Sequence, residues 1–242
     1  MSPLRTPSQA WNEMARGNAR FVAGEPSHPR QDVDRRAELA GGQAPHAALF
    51  GCSDSRLAAE IIFDKGLGDL FVVRNAGQVI SDSVVGSLEY AVSVLQVPLI
   101  IVLGHDECGA VRAAIDSTGV GAPHMPPHIE GILRRIRPAV QRVRLRTGIT
   151  DPKLLDTQEV GREHLRDTIG ELLEASEMIS AAVAEGTLAV VGANYRLPEG
   201  RAAPDVMVGP VPSSRPPRTT TPRTHAAVPP GRTGTPESRA IP

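Results

Sequence analysis

An α/β domain with a central, mostly parallel β-sheet flanked by helices is the fold this sequence predicts, and three observations predict it. Short apolar runs at 47–51, 70–73, 98–103 and 188–191 alternate with segments of helical periodicity, and strands alternating with helices imply a parallel sheet with right-handed crossovers. The run Pro98–Leu103 is rich in β-branched residues and uninterrupted, as suits a central strand covered on both faces. The chain has 242 residues, 40% hydrophobic and 22% charged, enough apolar side chain to bury a sizeable core.

The elements follow in order. Residues 7–24 read as an amphipathic helix carrying Trp11, Met14, Ala15, Asn18 and Phe21, with Gly24 as its stop. Residues 25–45, rich in Pro, Gly and charge, read as connection. Ala47–Gly51 is a short strand, Ala58–Phe63 a helical turn or two, and Leu70–Val73 a second strand. Ser81 or Asp82 caps a helix running to Leu95 with Val85, Leu88, Val92 and Leu95 on one face. After the strand at 98–103, Glu107–Ile115 continues as helix. Residues 128–146 are helical and strongly basic on one side, with Pro138 as a kink or break. A single long amphipathic helix covers 157–185, and Leu188–Val191 is the last buried strand.

This divides the chain into an N-terminal helical arm and connection (1–45), an α/β domain that carries the chemistry (46–209) and a tail (210–242). The tail holds nine prolines, five arginines and one acid, Glu237, with no Leu, Phe, Tyr or Trp, so it cannot bury enough apolar area to offset its ordering entropy and is expected to be disordered. A net charge of −1 gives no argument for a nucleic-acid or membrane partner. The basic residues are nearly all arginine, Lys65 and Lys153 being the exceptions, and they are scattered among similar numbers of acids. No apolar run reaches the roughly 18–20 residues of a membrane span, and the first residues lack the apolar core of a signal peptide. A cytoplasmic location is therefore expected, where two cysteines point to metal binding or catalysis rather than a disulfide.

Both cysteines follow apolar runs. "GCSDSR" (51–56) follows the first strand, and "LGHDEC" (103–108) follows the strand at 98–103. The carboxyl ends of parallel strands open into the crevice where ligands bind. Cys52 and His105 fall at such ends, and Cys108 lies three residues past His105. Thiolates and a neutral imidazole are ligand types that zinc prefers, and three of them leave a fourth position for Asp54 or for water. Arg56 beside Asp54 supplies a charge-assisted partner that holds the carboxylate off the metal. Singly, such residues read as buried core cysteines, a loop histidine and a surface ion pair of little energetic consequence. Their convergence at adjacent strand ends points to a metal.

"CSDSR" (52–56) followed by "HDEC" (105–108) resembles the zinc-site signature of β-class carbonic anhydrases. The similarity extends over roughly residues 8–196, through "GNARFVAG" (17–24), "DLFVVRNAG" (69–77), "GSLEYAV" (86–92) and "VVGANYRL" (190–197). The resemblance implies one Zn²⁺ per chain on Cys52, His105 and Cys108, with Asp54 as a fourth ligand in a closed form. It also implies hydration of carbon dioxide to bicarbonate and a proton by a zinc-bound hydroxide that the Asp54–Arg56 pair orients. Zinc with an open position brings the pKa of its water to about 7, a value taken over from carbonic anhydrase itself. Gln43 matches a glutamine that hydrogen-bonds the bound oxyanion or substrate. Phe71 and Tyr90 match apolar pocket walls contributed across a dimer interface, and Gly109 follows the last ligand, where backbone can approach the site. A homodimer or homotetramer is the implied assembly.

The family's separate inhibitory bicarbonate pocket is matched by Arg74 and Tyr195, but Leu49 stands at its tryptophan position, so that pocket is expected to be absent or weak. Pro198 and Pro204 interrupt the usual closing hairpin, so a strand at 203–209 is expected only at a sheet edge. Three other readings compete: a hydrolase of carbon disulfide or carbonyl sulfide on the same fold, a non-catalytic closed zinc or redox module, and a nucleic-acid binder using the tail. Arg56, which competes for Asp54, favours an open site over a closed one.

Overall fold

In the computed structural model, which describes residues 5–122 and 124–211, β1 (Ala47–Cys52) lies between β2 (Leu70–Asn75) and β3 (Leu99–His105). β4 (Ala189–Arg196) and β5 (Arg201–Val208) complete a sheet of order β2-β1-β3-β4-β5. The first four strands are parallel and β5 is antiparallel to β4. The chain steps from β1 outward to β2, then returns across β1 to form β3 on its other side. The loops leaving the carboxyl ends of β1 and β3 therefore diverge, which opens a crevice there.

Strand alternation explains both hydrophobic layers. Leu49, Ile101, Leu103, Val191 and Ala193 face one side, where Trp11, Met14, Val111, Ile136 and Val140 cover them. Ala48, Phe50, Ile100, Val102 and Val190 face the other, against Val84, Leu88, Leu165, Ile169 and Leu172. Every residue of β1 and β3 is buried, so their sequences read as unbroken apolar runs rather than alternating ones.

The first layer uses α1 (Pro7–Ala23), α5 (Gly109–Asp116) and α6 (Pro127–Thr147); the second uses α4 (Asp82–Ser93), α7 (Thr157–Ala175) and α8 (Glu177–Ala184). α1 starts on a reciprocal Thr6–Gln9 capping box and ends at Gly24 in the left-handed conformation (φ 73°). Its buried Asn18 donates to the carbonyls of Ile62 (3.1 Å) and Gly200 (2.8 Å) and accepts from the Ala202 N–H (2.9 Å). One side chain thus pins the helix to the end of α3 (Ala59–Ile62) and to the β4–β5 turn.

Several boundaries differ from the sequence reading. The expected single helix at 157–185 is two, because Ser176 leaves the helical conformation, caps α8 by accepting from the Ile179 N–H (3.2 Å) and donates to Glu89 on α4 (2.6 Å). Pro138 does not interrupt α6. Burial of Leu133, Ile136, Ala139, Val140 and Val143 on either side of it outweighs the roughly 3 kcal/mol a mid-helix proline costs. α4 buries Val84, Leu88 and Ala91 rather than the face through Val85 and Val92, and Ala15 of α1 is exposed. The connection at 25–45 contains a short helix, α2 (Val33–Glu38), capped by Asp32. The last strand expected at Leu188–Val191 extends as β4 to Arg196. β5 then adds the edge strand that Pro204 allows, with a register shift at Gly192/Ala193 opposite it. Apart from Pro210 and Val211, the expected tail lies outside the described residues, and among those described no helix is long and apolar enough to cross a membrane.

Buried Asp69, at the entry to β2, fastens the 25–45 connection. It accepts from Arg30 Nε (2.8 and 3.0 Å) and Nη2 and from the Gly66 N–H (2.9 Å). Burial alone would raise its pKa, but the Arg30 and Gly66 hydrogen bonds outweigh it and the net shift is downward. A depressed carboxyl stabilises the fold fully above its unfolded value, about 3.9, and loses that contribution as pH falls toward the folded value. Asp69→Asn is expected to cost about 2–3 kcal/mol at neutral pH. In urea titrations the gap from wild type should narrow toward about pH 3; a gap independent of pH would contradict this.

Candidate metal centre

The parallel register of β1 and β3, with Gly51 opposite Leu103, delivers Cys52 and His105 to the same edge of the sheet. Glu107 adopts a left-handed conformation (φ 51°) and turns the chain back, so Cys108 becomes the N-cap residue of α5. The His105–Cys108 spacing is therefore a strained turn rather than the start of a helix, which begins at Gly109. The Cys52, His105 and Cys108 ligand atoms all lie within 4.8 Å of one another, and all three residues are buried.

Each donor is prepared. His105 Nδ1 donates to the Asp106 carbonyl (2.8 Å), which fixes the neutral tautomer and leaves the Nε2 lone pair free. Nε2 is buried with no hydrogen-bond partner, an orphaned atom that a metal ion would satisfy. Cys52 Sγ accepts from the Gly77 N–H (3.3 Å). The Cys52 thiol is drawn down, chiefly by the neighbouring Cys108 thiol, against burial and with help from His105 and the Gly77 N–H. Cys108 is pushed up by the same interaction with Cys52 and by burial. One negative sulfur is favoured and a second beside it opposed, a conflict that a divalent cation resolves.

Asp54 stands outside that ligand group, engaged by Arg56. Arg56 Nε and backbone N–H both donate to Asp54 Oδ1 (2.9 and 3.0 Å), and Nη2 donates to Oδ2 (2.7 Å). The guanidinium, together with the Arg56 N–H, holds the Asp54 carboxyl well below the usual carboxylate range despite some burial. Arg56 also donates to the Glu107 carbonyl (3.2 Å), bridging the two strand-end loops. Arg74 donates to the carbonyls of Cys52 (3.0 Å) and Asp54 (2.7 Å). Sequence reasoning had matched Arg74 to a bicarbonate pocket and missed this support of the ligand backbone. It also missed Gly77, whose only sequence signal is a glycine closing "RNAG" just after β2. Leu49 and Tyr195, at the other positions of that pocket, are buried in the first hydrophobic layer.

The expected pocket residues do not gather here. Gln43 is exposed and precedes β1, whose far end carries Cys52. Phe71 pairs with Ala48 near the start of β1, and its ring lies 6.1 Å from that of Tyr90, which is 46% exposed. Gly109 borders the site, and a Cβ there would meet nothing within 4 Å, so its missing side chain is not required by packing within the chain.

Residues 47–202 match the sequence profile of the family described as carbonic anhydrase. The chain is 50% identical over 201 residues to carbonic anhydrase 2 of Mycobacterium tuberculosis, covering 83% of this chain and 93% of the relative. It is 46% identical over 200 residues to a carbonic anhydrase of Mycolicibacterium smegmatis, covering 82% and 93%. Among solved structures, one of the tetrameric β-carbonic anhydrases of Sordaria macrospora superposes with a TM-score of 0.63 at 26% identity, covering 79% of this chain and 93% of that one.

Gly77 has φ +74°, and an added Cβ would sit 2.8 Å from the Ala110 Cβ. Gly77→Ala should lower stability by about 2 kcal/mol, from left-handed strain and overlap combined. Thermal unfolding of apo protein measures this, and a variant as stable as wild type would show that the turn is not held as described.

Proposed function

The chain belongs to the β-class carbonic anhydrases, and from that premise we propose that it catalyses the reversible hydration of carbon dioxide to bicarbonate and a proton, with Zn²⁺ held by Cys52, His105 and Cys108. The observation that carries the proposal is the buried Cys52–His105–Cys108 cluster, with an unpartnered His105 Nε2, at the crevice between β1 and β3. Zinc bound there supplies a Lewis acid and makes a water acidic enough to be a nucleophile near neutral pH.

The chain's own residues position the reaction. Asp54 Oδ1 already accepts two hydrogen bonds and Oδ2 one, so Oδ2 keeps a lone pair to accept the O–H of the attacking water and aim its oxygen. Arg56, anchored also on the Glu107 carbonyl, keeps that carboxylate from becoming a fourth ligand. This supports an open, catalytic site over a closed, structural one.

Gln43, Phe71 and Tyr90 lie at the opposite end of β1 from this chain's own cluster, so a role in the pocket requires a second copy. The half-exposed edge strand β2, with exposed Ile61, Leu67, Tyr90 and Val94 nearby in sequence, supports a homodimer through that side. The protein from Sordaria macrospora is tetrameric, and a dimer or tetramer is the assembly proposed here.

Wild-type protein is expected to carry about one zinc per chain and to accelerate carbon dioxide hydration, and Cys52→Ser to lose both; zinc-replete wild type without hydratase activity would sink the proposal. Arg56→Ala should release Asp54 toward the metal and lower kcat by roughly 10–100-fold, read by stopped-flow hydration; full activity would count against the gate. Co-assembling inactive Cys52→Ser with Gln43→Ala chains should recover up to roughly a quarter of wild-type sites. No recovery from confirmed mixed dimers would exclude a shared site.

A further inference from the structure

α7 crosses the back of the turn that faces the Cys52 sulfur. His164, buried on that helix, places Nε2 2.7 Å from the Gly77 carbonyl. A carbonyl only accepts, so Nε2 carries the proton and Nδ1 is bare; Nδ1 is buried without a partner. Burial pushes the His164 pKa below its ordinary value, consistent with a neutral ring. One turn further along α7, Thr168 sets its hydroxyl 3.3 Å from the Gln78 carbonyl and 2.9 Å from the His164 carbonyl. From the other side, Asn75 closes the same turn by two hydrogen bonds with the Val79 backbone (2.7 and 3.0 Å). The turn carries left-handed Gly77 and Gln78, a conformation that persists only when its surroundings hold it. Its one N–H aimed at the centre is that of Gly77, on Cys52 Sγ at 3.3 Å.

We propose that His164 is a positioning residue for the metal ligand Cys52: by donating from Nε2 to the Gly77 carbonyl, it holds the Gly77 N–H on the Cys52 sulfur. The inference rests on the reading that Cys52 binds a metal. A hydrogen bond to a thiolate ligand draws charge from the sulfur and fixes its direction, and partners behind a ligand tune metal retention. A buried histidine could instead serve packing alone, so the test separates the donated hydrogen bond from the volume of the ring.

Cobalt-substituted and zinc-loaded proteins are compared for wild type, His164→Leu, which removes the donor, and His164→Gln, whose amide restores a donor near Nε2. His164→Leu should shift the sulfur-to-cobalt charge-transfer band and release zinc to a chelator about tenfold faster. His164→Gln should return both towards wild type. A folded His164→Leu with the wild-type band and release rate overturns the inference, as does a His164→Gln indistinguishable from His164→Leu. Should the leucine variant fail to fold, imidazole ¹⁵N shifts of the wild-type protein decide: a proton on Nε2 supports the inference and a proton on Nδ1 overturns it. Wild type that takes up neither ion overturns the metal reading and this inference together, whereas loaded wild type with indifferent variants overturns this inference alone.

Discussion

The parallel pairing of β1 with β3 is the constraint from which the rest follows. It sets two strand ends side by side although their sequences are far apart, and it requires the chain to leave them in different directions, because β2 lies on one flank and β4 on the other. A crevice is unavoidable where the loops part. The two hydrophobic layers fix the register, since sliding either strand by one residue would turn its inward side chains to the wrong layer. Burial of Phe50, Ile101 and Leu103 thereby positions Cys52 and His105, each two residues beyond the last of these side chains in its strand.

Divergence has a second consequence. Backbone carbonyls beyond the parting strand ends have no ladder partners, and side chains supply donors to them. Arg74 satisfies those of Cys52 and Asp54, and Arg56 reaches that of Glu107 while it grips the Asp54 carboxylate. The same guanidinium groups that complete the backbone bonding bring positive charge to a pocket holding sulfur and carboxylate. Structural satisfaction and electrostatic preparation are one arrangement.

The sheet and the convergence of Cys52, His105 and Cys108 were legible because they follow from local rules. Unbroken apolar runs mean strands covered on both faces, and a Cys or His just beyond such a run falls in the crevice. Asp54 and Arg56 were legible as a pair because they are two residues apart. Helix breaks were harder. Pro138 is tolerated because apolar residues on both sides of it are buried, while the inconspicuous Ser176 ends a helix because Glu89, distant in sequence, accepts its hydroxyl. The turn at Gly77 and the reach of Arg74 depend on which strand lies beside β1, which is tertiary information. Gln43, Phe71 and Tyr90 came only through family resemblance, and within one chain they lie at the far end of the sheet.

In the proposed centre, two sulfurs and one imidazole grip a single zinc ion and leave it a position open to exchange. Zinc-edge X-ray absorption on the purified, unchelated protein tests it most directly. Two sulfur atoms at about 2.3 Å and one imidazole nitrogen at about 2.0–2.1 Å are expected, with one further light donor that responds to pH. A zinc environment lacking sulfur, or protein carrying no zinc at all, would contradict it.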